Sequence, residues 1–100
     1  MTSKERAYLR SKAQTIDPVI QVGRDGLIPE CTQNADDALE ARELIKVNVQ
    51  RNCLVPVREI ADTLAERTHA DVVQVIGRKF VLYRYSRTKK THIPLRKEDE

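Results

Sequence analysis

Aromatic residues, glycine and proline are all scarce in this sequence. Only 4% of its 100 residues are aromatic, tryptophan is absent, and there are three glycines and four prolines. So little glycine and proline argues against a disordered or fibrous chain. No apolar run approaches the roughly 20 residues that a helix needs to cross a membrane, and the first residues lack the apolar stretch of a signal peptide. We therefore expect one small cytoplasmic domain with no membrane partner.

Cysteine and histidine, which often build metal centres and nucleophilic sites, number two each. Cys31 and Cys53 form no CxxC pair, so neither a zinc site nor a disulfide scaffold is indicated, and we expect both thiols to be reduced. Neither His69 nor His92 sits near a cysteine, and no HExxH, GxSxG or phosphate-loop motif is present. We expect no catalytic residue, metal, cofactor or small-molecule substrate. A small hydrolase is the alternative if these four side chains meet in a cleft.

The charged residues, 33% of the chain, are unevenly distributed. The net charge is only +3, but eight basic residues and no acidic one occur between Arg78 and Lys97. The first 14 residues add four more cations against one acid. A one-sided basic field attracts polyanions and supplies phosphate contacts. We expect nucleic acid as the partner, with an anionic membrane surface or no polyanion as the alternatives.

The segment 30–43 is acidic instead, with one arginine. Its carboxylates are Glu30, Asp36, Asp37, Glu40 and Glu43. On a helix with one apolar stripe, such charges are typical of a solvated face. A second class of function stays open here, since a protein-interaction adaptor could use this helix against a basic partner.

Hydrophobic periodicity predicts the element order α-β-α-β-α-β-β. Helices are predicted over residues 3–14, from Pro29 to about Arg42, and from Pro56 onward. Strands are predicted over residues 19–22, 45–49, 72–76 and 80–85. The short connection through Gly77 predicts that the last two strands form an antiparallel hairpin. Helices then cover at least one face of a small sheet, which makes an α/β sandwich of two or three layers.

The tetrapeptide Gly23-Arg24-Asp25-Gly26 lies between the first strand and the second helix. Its glycines allow a positive φ and close backbone approach, and the free amides at a helix start attract phosphate. Arg24 would add a full charge. A GxxG loop clamps the nucleotide backbone in KH domains by the same physics. An ordinary turn is the alternative, but the position of the loop in a basic protein favours RNA.

A second basic patch is predicted at the hairpin. Arg78 and Lys79 project from its turn, and Arg84 is the one charge in the last strand. Lys46 would extend the patch if its strand neighbours the hairpin. By strand alternation Tyr83 and Tyr85 share the face opposite Arg84. They could stack on bases, although core or edge-of-core positions are the more common use of such residues in strands.

Three segments together carry a family resemblance: VGRDGL, ELIKV and VVQVIGRKFVLYR, in this order. They resemble the CRM (chloroplast RNA splicing and ribosome maturation) domain in its stand-alone bacterial form, the YhbY type, over about residues 3–85. The resemblance implies an α/β sandwich with a four-stranded mixed sheet, similar to the C-terminal domain of translation initiation factor three. It also implies a non-enzymatic protein that binds ribosomal RNA or large-subunit precursors and assists ribosome assembly. An RNA chaperone or a splicing-type cofactor for another structured RNA is the alternative.

The resemblance also implies which residues contact RNA. The family's loop falls on Gly23, Arg24, Asp25 and Gly26, and the basic surface around it falls on Arg10, Lys12, Lys46, Arg78, Lys79 and Arg84. Asp25 departs from the family, which usually has an uncharged residue there. An exposed carboxylate at this position would repel phosphate by up to about 1 kcal/mol, unless it caps the next helix. Ile28 also departs, since the family tends to place a threonine before that helix.

We expect these features to form a single monomeric domain over residues 1–97. Its core would span about residues 3–85 and its basic tail residues 86–97. Residues 98–100 would form a frayed acidic terminus.

Overall fold

A computed structural model describes residues 1–89 and 91–94 of the chain. The elements are helices α1 (Ser3–Ala13), α2 (Pro29–Arg42) and α3 (Val57–Thr68) and strands β1 (Pro18–Val22), β2 (Leu44–Val49), β3 (Asp71–Ile76) and β4 (Lys79–Tyr83). The predicted order is confirmed. The last strand ends at Tyr83, two residues earlier than expected, because Tyr83 already pairs with the first residues of β2 and β3, Leu44 and Asp71. Beyond it, the Arg84 N–H donates to the Glu43 carbonyl and the Ser86 N–H to the Glu43 carboxylate.

Local chemistry sets the helix boundaries. Thr2 and Glu5 form the capping box that starts α1, each side chain accepting from the other residue's backbone N–H. Helix α2 begins at Pro29, whose missing N–H costs nothing in a first turn. Its N-cap Ile28 makes no side-chain capping bond. The structure therefore gives Asp25 no capping role.

The four strands form one mixed sheet in the order β1-β2-β4-β3. β1 and β2 are parallel, and β4 is antiparallel to both β2 and β3. The four-stranded mixed sheet and the β3–β4 hairpin are thus confirmed. Because β1 and β2 are parallel, the loops that follow them leave at the same end of the sheet. The pairing of Asn48 with Lys79 brings the hairpin turn to that end as well.

Helices pack on both faces of the sheet, which makes three layers. α2 and α3 cover one face, where Leu39, Leu64 and Phe80 belong to the main core. α1 packs on the other face, where Leu9 belongs to a smaller cluster with Val81. The polar side chains of β2 on this second face are only partly covered. Within the described residues, no helix has the length and apolar character needed to span a membrane.

Candidate functional site

Three turns meet at one end of the sheet, which we call the loop end. They are residues 23–26 after β1, residues 50–52 after β2 and residues 77–79 at the start of β4. The N-termini of α2 and α3 follow the first two of these turns. Neither helix has a side-chain cap at its start. Backbone N–H groups without such caps carry the positive end of the helix dipole, so this end favours an anion.

The glycine loop is a tight turn that favours glycine most clearly at Gly26. The Gly26 N–H donates to the Gly23 carbonyl at 3.0 Å, and Gly26 has a φ of +72°. A Cβ on Gly23 would lie 3.2 Å from Oε1 of Gln50, a tight contact that the Gln50 side chain would have to relieve by a small shift. Arg24 and Asp25 occupy the exposed tip. The loop therefore presents one cation and one carboxylate at its tip, and its backbone at Gly23 lies against the side chain of Gln50.

The neighbouring turn after β2 adds a cation that the sequence reasoning missed. The Gln50 N–H donates to the Val22 carbonyl at 2.8 Å, which joins this turn to the start of the glycine loop. Arg51 lies exposed on the turn. The sequence shows a basic residue two positions after the predicted second strand, but the parallel pairing of β1 and β2 that brings it to the glycine loop is visible only in the fold.

The two cations of the hairpin turn, Arg78 and Lys79, lie in different environments. Arg78 donates from Nε to the Val49 carbonyl at 3.0 Å and from Nη2 to the Gln50 carbonyl at 2.5 Å. Its guanidinium thus holds the turn against β2. Lys79 is exposed, and Lys46 is half-buried on the sheet face beside it. Among the residues that the structure describes, neither lysine is paired with a carboxylate.

The remaining predicted residues lie elsewhere. Nη1 of Arg84 donates to Asp36 Oδ1 at 2.5 Å and to the Thr68 carbonyl at 2.8 Å, at the end of the sheet opposite the loop end. Its side chain is 17% exposed, so phosphate would have to compete with internal acceptors. Lys12 lines a cavity of about 470 Å³ with Asp17 and Arg42, where β1 and β2 begin. Arg10 is exposed on α1.

The acidic residues of α2 are not simply a solvated face, which corrects the interpretation of this helix from the sequence. Glu40 Oε2 accepts hydrogen bonds from the Ser86 and Thr88 hydroxyls and from the N–H groups of Arg87 and Thr88. These bonds, led by the Thr88 hydroxyl, lower the pKa of Glu40 to about 2. The helix therefore uses Glu40 to bind its own chain, whereas Glu30 and Asp37 stay exposed.

Glu43 holds the same segment from a fully buried position. Its carboxylate accepts from the N–H groups of Ser86 at 2.7 Å and Ile93 at 2.9 Å, and lies 2.5 Å from Nδ1 of His92. Burial raises the pKa of Glu43, but the bonds from Ser86, His92 and Ile93 outweigh it, so the net pKa is lowered. The His92 ring stacks on Tyr85, with centroids 4.1 Å apart.

We call residues 84–89 and 91–94 the C-terminal strap. They are the described part of the predicted basic tail together with Arg84 and Tyr85. Residue 90 and residues 95–97 of that tail, and the predicted acidic terminus 98–100, lie outside the described residues. The two tyrosines have different environments, since Tyr83 is buried and Tyr85 is 59% exposed. Burial raises the pKa of Tyr83 to about 12.

The cysteines and histidines lie at opposite ends of the sheet. Cys31 in the first turn of α2 and Cys53 after β2 are near the loop end, and both are buried and free. His69 ends α3 and His92 lies in the strap, at the other end. In the part of the chain that the structure describes, no three metal-ligating side chains come together.

The fold and the loop end define a small three-layer α/β domain that presents cations around a glycine turn. The chain belongs to the CRS1 / YhbY (CRM) domain family, whose model matches residues 1–84. It is 40% identical over 90 residues to the Bacillus subtilis protein named "Probable RNA-binding protein YqeI", covering 90% of this chain and 94% of that one. It is 32% identical to a Haemophilus influenzae protein named "RNA-binding protein", covering 94% and 95% of the two chains.

A solved structure has the same fold. The solution structure of the hypothetical protein SAV1595 from Staphylococcus aureus matches with a TM-score of 0.77 and 44% identity, over 94% of this chain and 99% of that one. The fold expected from the resemblance is thereby confirmed.

Proposed function

We propose that this chain is a monomeric, non-catalytic RNA-binding protein of the cytoplasm that needs no cofactor. Its target would be ribosomal RNA in precursors of the large ribosomal subunit, whose assembly it assists. The observation that carries the proposal is the position of Arg24, Arg51 and Lys79 on three turns at one end of the sheet. Two relatives named for RNA binding support the RNA-binding part of the proposal.

The binding mode follows from this arrangement. Each exposed cation neutralises one phosphate and releases its counterions, so affinity falls as salt rises. Backbone amides of the glycine loop and of the uncapped helix starts add contacts to phosphate oxygens. With few exposed rings at this end, phosphate contacts supply most of the affinity.

Gly23, Gly26 and Arg78 shape this surface, and Lys46 extends it along the sheet face. Arg10, Lys12 and Arg84, which the family resemblance also implied, lie outside the surface we propose. Arg84 instead holds the strap end of the fold through Asp36 and Glu40.

Sedimentation of a cell lysate through a density gradient tests the ribosomal target. We expect the protein to migrate with large-subunit precursors and to return to the top of the gradient after ribonuclease treatment. A variant with Arg24, Arg51 and Lys79 changed to alanine should stay at the top without ribonuclease. Wild-type protein that stays at the top even at low salt contradicts the ribosomal target. Migration with another ribonuclease-sensitive particle would instead support a chaperone or splicing-type role.

A further inference from the structure

We propose that the sheet face next to the loop end holds one unstacked RNA base and distinguishes bases by the amide of Gln74. A groove of about 200 Å³ lies there, between the end of α1 and strands β2, β4 and β3. This inference rests on the proposed function and adds base recognition to it. The groove is smaller than the roughly 300–1,000 Å³ of pockets for drug-sized ligands, so its size suits a single base.

The strand register sets the walls of the groove. Lys46 on β2 and Gln74 on β3 both pair with Val81 of β4, from opposite sides. With strands about 4.8 Å apart, their backbones stand about 10 Å from each other. Val81 forms the floor between them, and Gln14 at the end of α1 closes one side. A flat ring can enter edge-on between the two walls.

The lining groups suit a base and its phosphate. Within residues 1–89 and 91–94, the side-chain amides of Gln14 and Gln74 make no hydrogen bond, so each keeps a donor and an acceptor for a base edge. Ile76 is 60% exposed and offers an apolar surface to the ring. Lys46 and Lys79 supply the positive charge, and none of the described lining residues is acidic.

The groove is continuous with the loop end. Ile76 pairs with Lys79 directly beside the hairpin turn, and both residues line the groove, so the groove reaches the loop end. An RNA chain whose phosphates contact Arg24, Arg51 and Lys79 can therefore place one further nucleotide on the sheet face. The lysines bind the phosphates of the RNA backbone and supply affinity, whereas the two side-chain amides contact the base and supply specificity.

Fluorescence anisotropy with labelled eight-nucleotide homopolymers of A, C and U tests this assignment. We expect wild-type protein to prefer one homopolymer by about five- to tenfold, in the range that a well-placed amide contact provides. Gln74→Leu should reduce the preference to less than about twofold and leave the salt slope unchanged. Gln14→Ala, an exposed change that spares the core, should reduce it in part. Lys79→Ala should do the reverse, lowering the salt slope by about one unit with the preference kept.

Gln33→Leu is the matched control, because Gln33 is exposed on α2 and bonds only Asp37. It should keep both the preference and the slope. A Gln74→Leu variant that keeps the wild-type preference overturns the inference, as does a wild-type protein that binds all three homopolymers equally. In both cases salt-dependent binding would leave the proposed function standing. Failure of wild-type protein to bind any RNA would overturn both.

Two further experiments test whether the groove instead binds a free mononucleotide or a protein partner. Nuclear magnetic resonance spectra should show the Gln74 side-chain amide shifting with the preferred oligonucleotide, and far less with the free nucleoside monophosphate at equal concentration. Equal shifts with the monophosphate would assign the groove to a small nucleotide and contradict the RNA assignment. A protein partner that binds wild type but not Gln74→Leu, and stays bound after ribonuclease treatment, would contradict it as well.

Discussion

The Nδ1 atom of His92 lies 2.5 Å from Oε2 of Glu43, a carboxylate with no solvent exposure. The two residues are 49 positions apart in the chain, and the contact ties the strap to the end of α2. Glu43 has a φ of +68°, a value that usually favours glycine. The carboxylate explains its presence, since glycine would fit the backbone but could not bind Ser86, His92 and Ile93.

Removing the charge of Glu43 should weaken the fold. We expect Glu43→Gln to lower the free energy of unfolding by about 2 kcal/mol, because two backbone N–H groups and His92 lose an ionised acceptor. Urea denaturation followed by circular dichroism measures the change. Glu66→Gln is the control: Glu66 is exposed on α3, so this change should leave the free energy of unfolding nearly the same. Equal stability of wild type and Glu43→Gln would refute the role of this carboxylate.

The strap should respond to pH through Glu40. Its pKa is lowered from 4.5 to about 2, so its contribution to stability is complete above about pH 4.5 and is lost as pH falls through about 2. Nuclear magnetic resonance of the Thr88 amide across pH 1.5–6 should show a transition near pH 2. Glu40→Gln should abolish that transition. A Thr88 transition near pH 4.5 in wild-type protein would mean that the hydrogen bonds do not stabilise the ionised carboxylate.

The variant Arg84→Met tests whether Arg84 stabilises the fold or contacts RNA. We expect Arg84→Met to cost about 2 kcal/mol of stability, because the charges of Asp36 and Glu40 lose their partner. The salt slope of RNA binding should stay unchanged, measured at a temperature where the variant is folded. A slope reduced by about one unit would instead place Arg84 on the RNA.

Arg51 is expected to contact a phosphate although it was not predicted from the sequence. Arg51→Ala should weaken binding to all RNA sequences and lower the salt slope by about one unit. Arg67→Ala is the matched control, since Arg67 is exposed at the other end of α3. Fluorescence anisotropy at four salt concentrations gives both slopes. The same slope for both variants would exclude Arg51 from the interface.

Asp25 should oppose binding. It is exposed at the tip of the glycine loop and caps no helix, so its carboxylate is free to repel phosphate. We expect Asp25→Asn to tighten RNA binding by up to about fivefold at low salt, with less gain at high salt, where screening is stronger. Weaker binding by Asp25→Asn would show that the carboxylate supports the loop instead.

The sequence predicts the elements of this fold well because each follows from short-range patterns. Pro29 marks the start of α2, and the alternation of Ile45, Val47 and Val49 marks β2. The strap does not follow from such patterns, because Glu40 and Glu43 bind residues more than 40 positions later. The sequence shows a charged residue but not the partner it meets in the fold, so it predicts a solvated face for α2 and an RNA contact for Arg84.

The candidate site was predictable only in part, for a similar reason. The glycine loop is a local motif, so Gly23 and Gly26 stand out from the sequence alone. The grouping of Arg51 with that loop depends on β1 and β2 being parallel, which periodicity does not show. The internal bonds of Arg78 also depend on the sheet, since its guanidinium meets the carbonyls of Val49 and Gln50.

The most direct test of RNA binding at the loop end is the salt dependence of affinity in one triple variant. Arg24, Arg51 and Lys79 changed to alanine should lower the slope of log affinity against log salt by about two to three units. The unfolding midpoint should stay near that of wild type, because all three side chains are exposed. An unchanged slope in the folded variant would contradict RNA binding at the loop end.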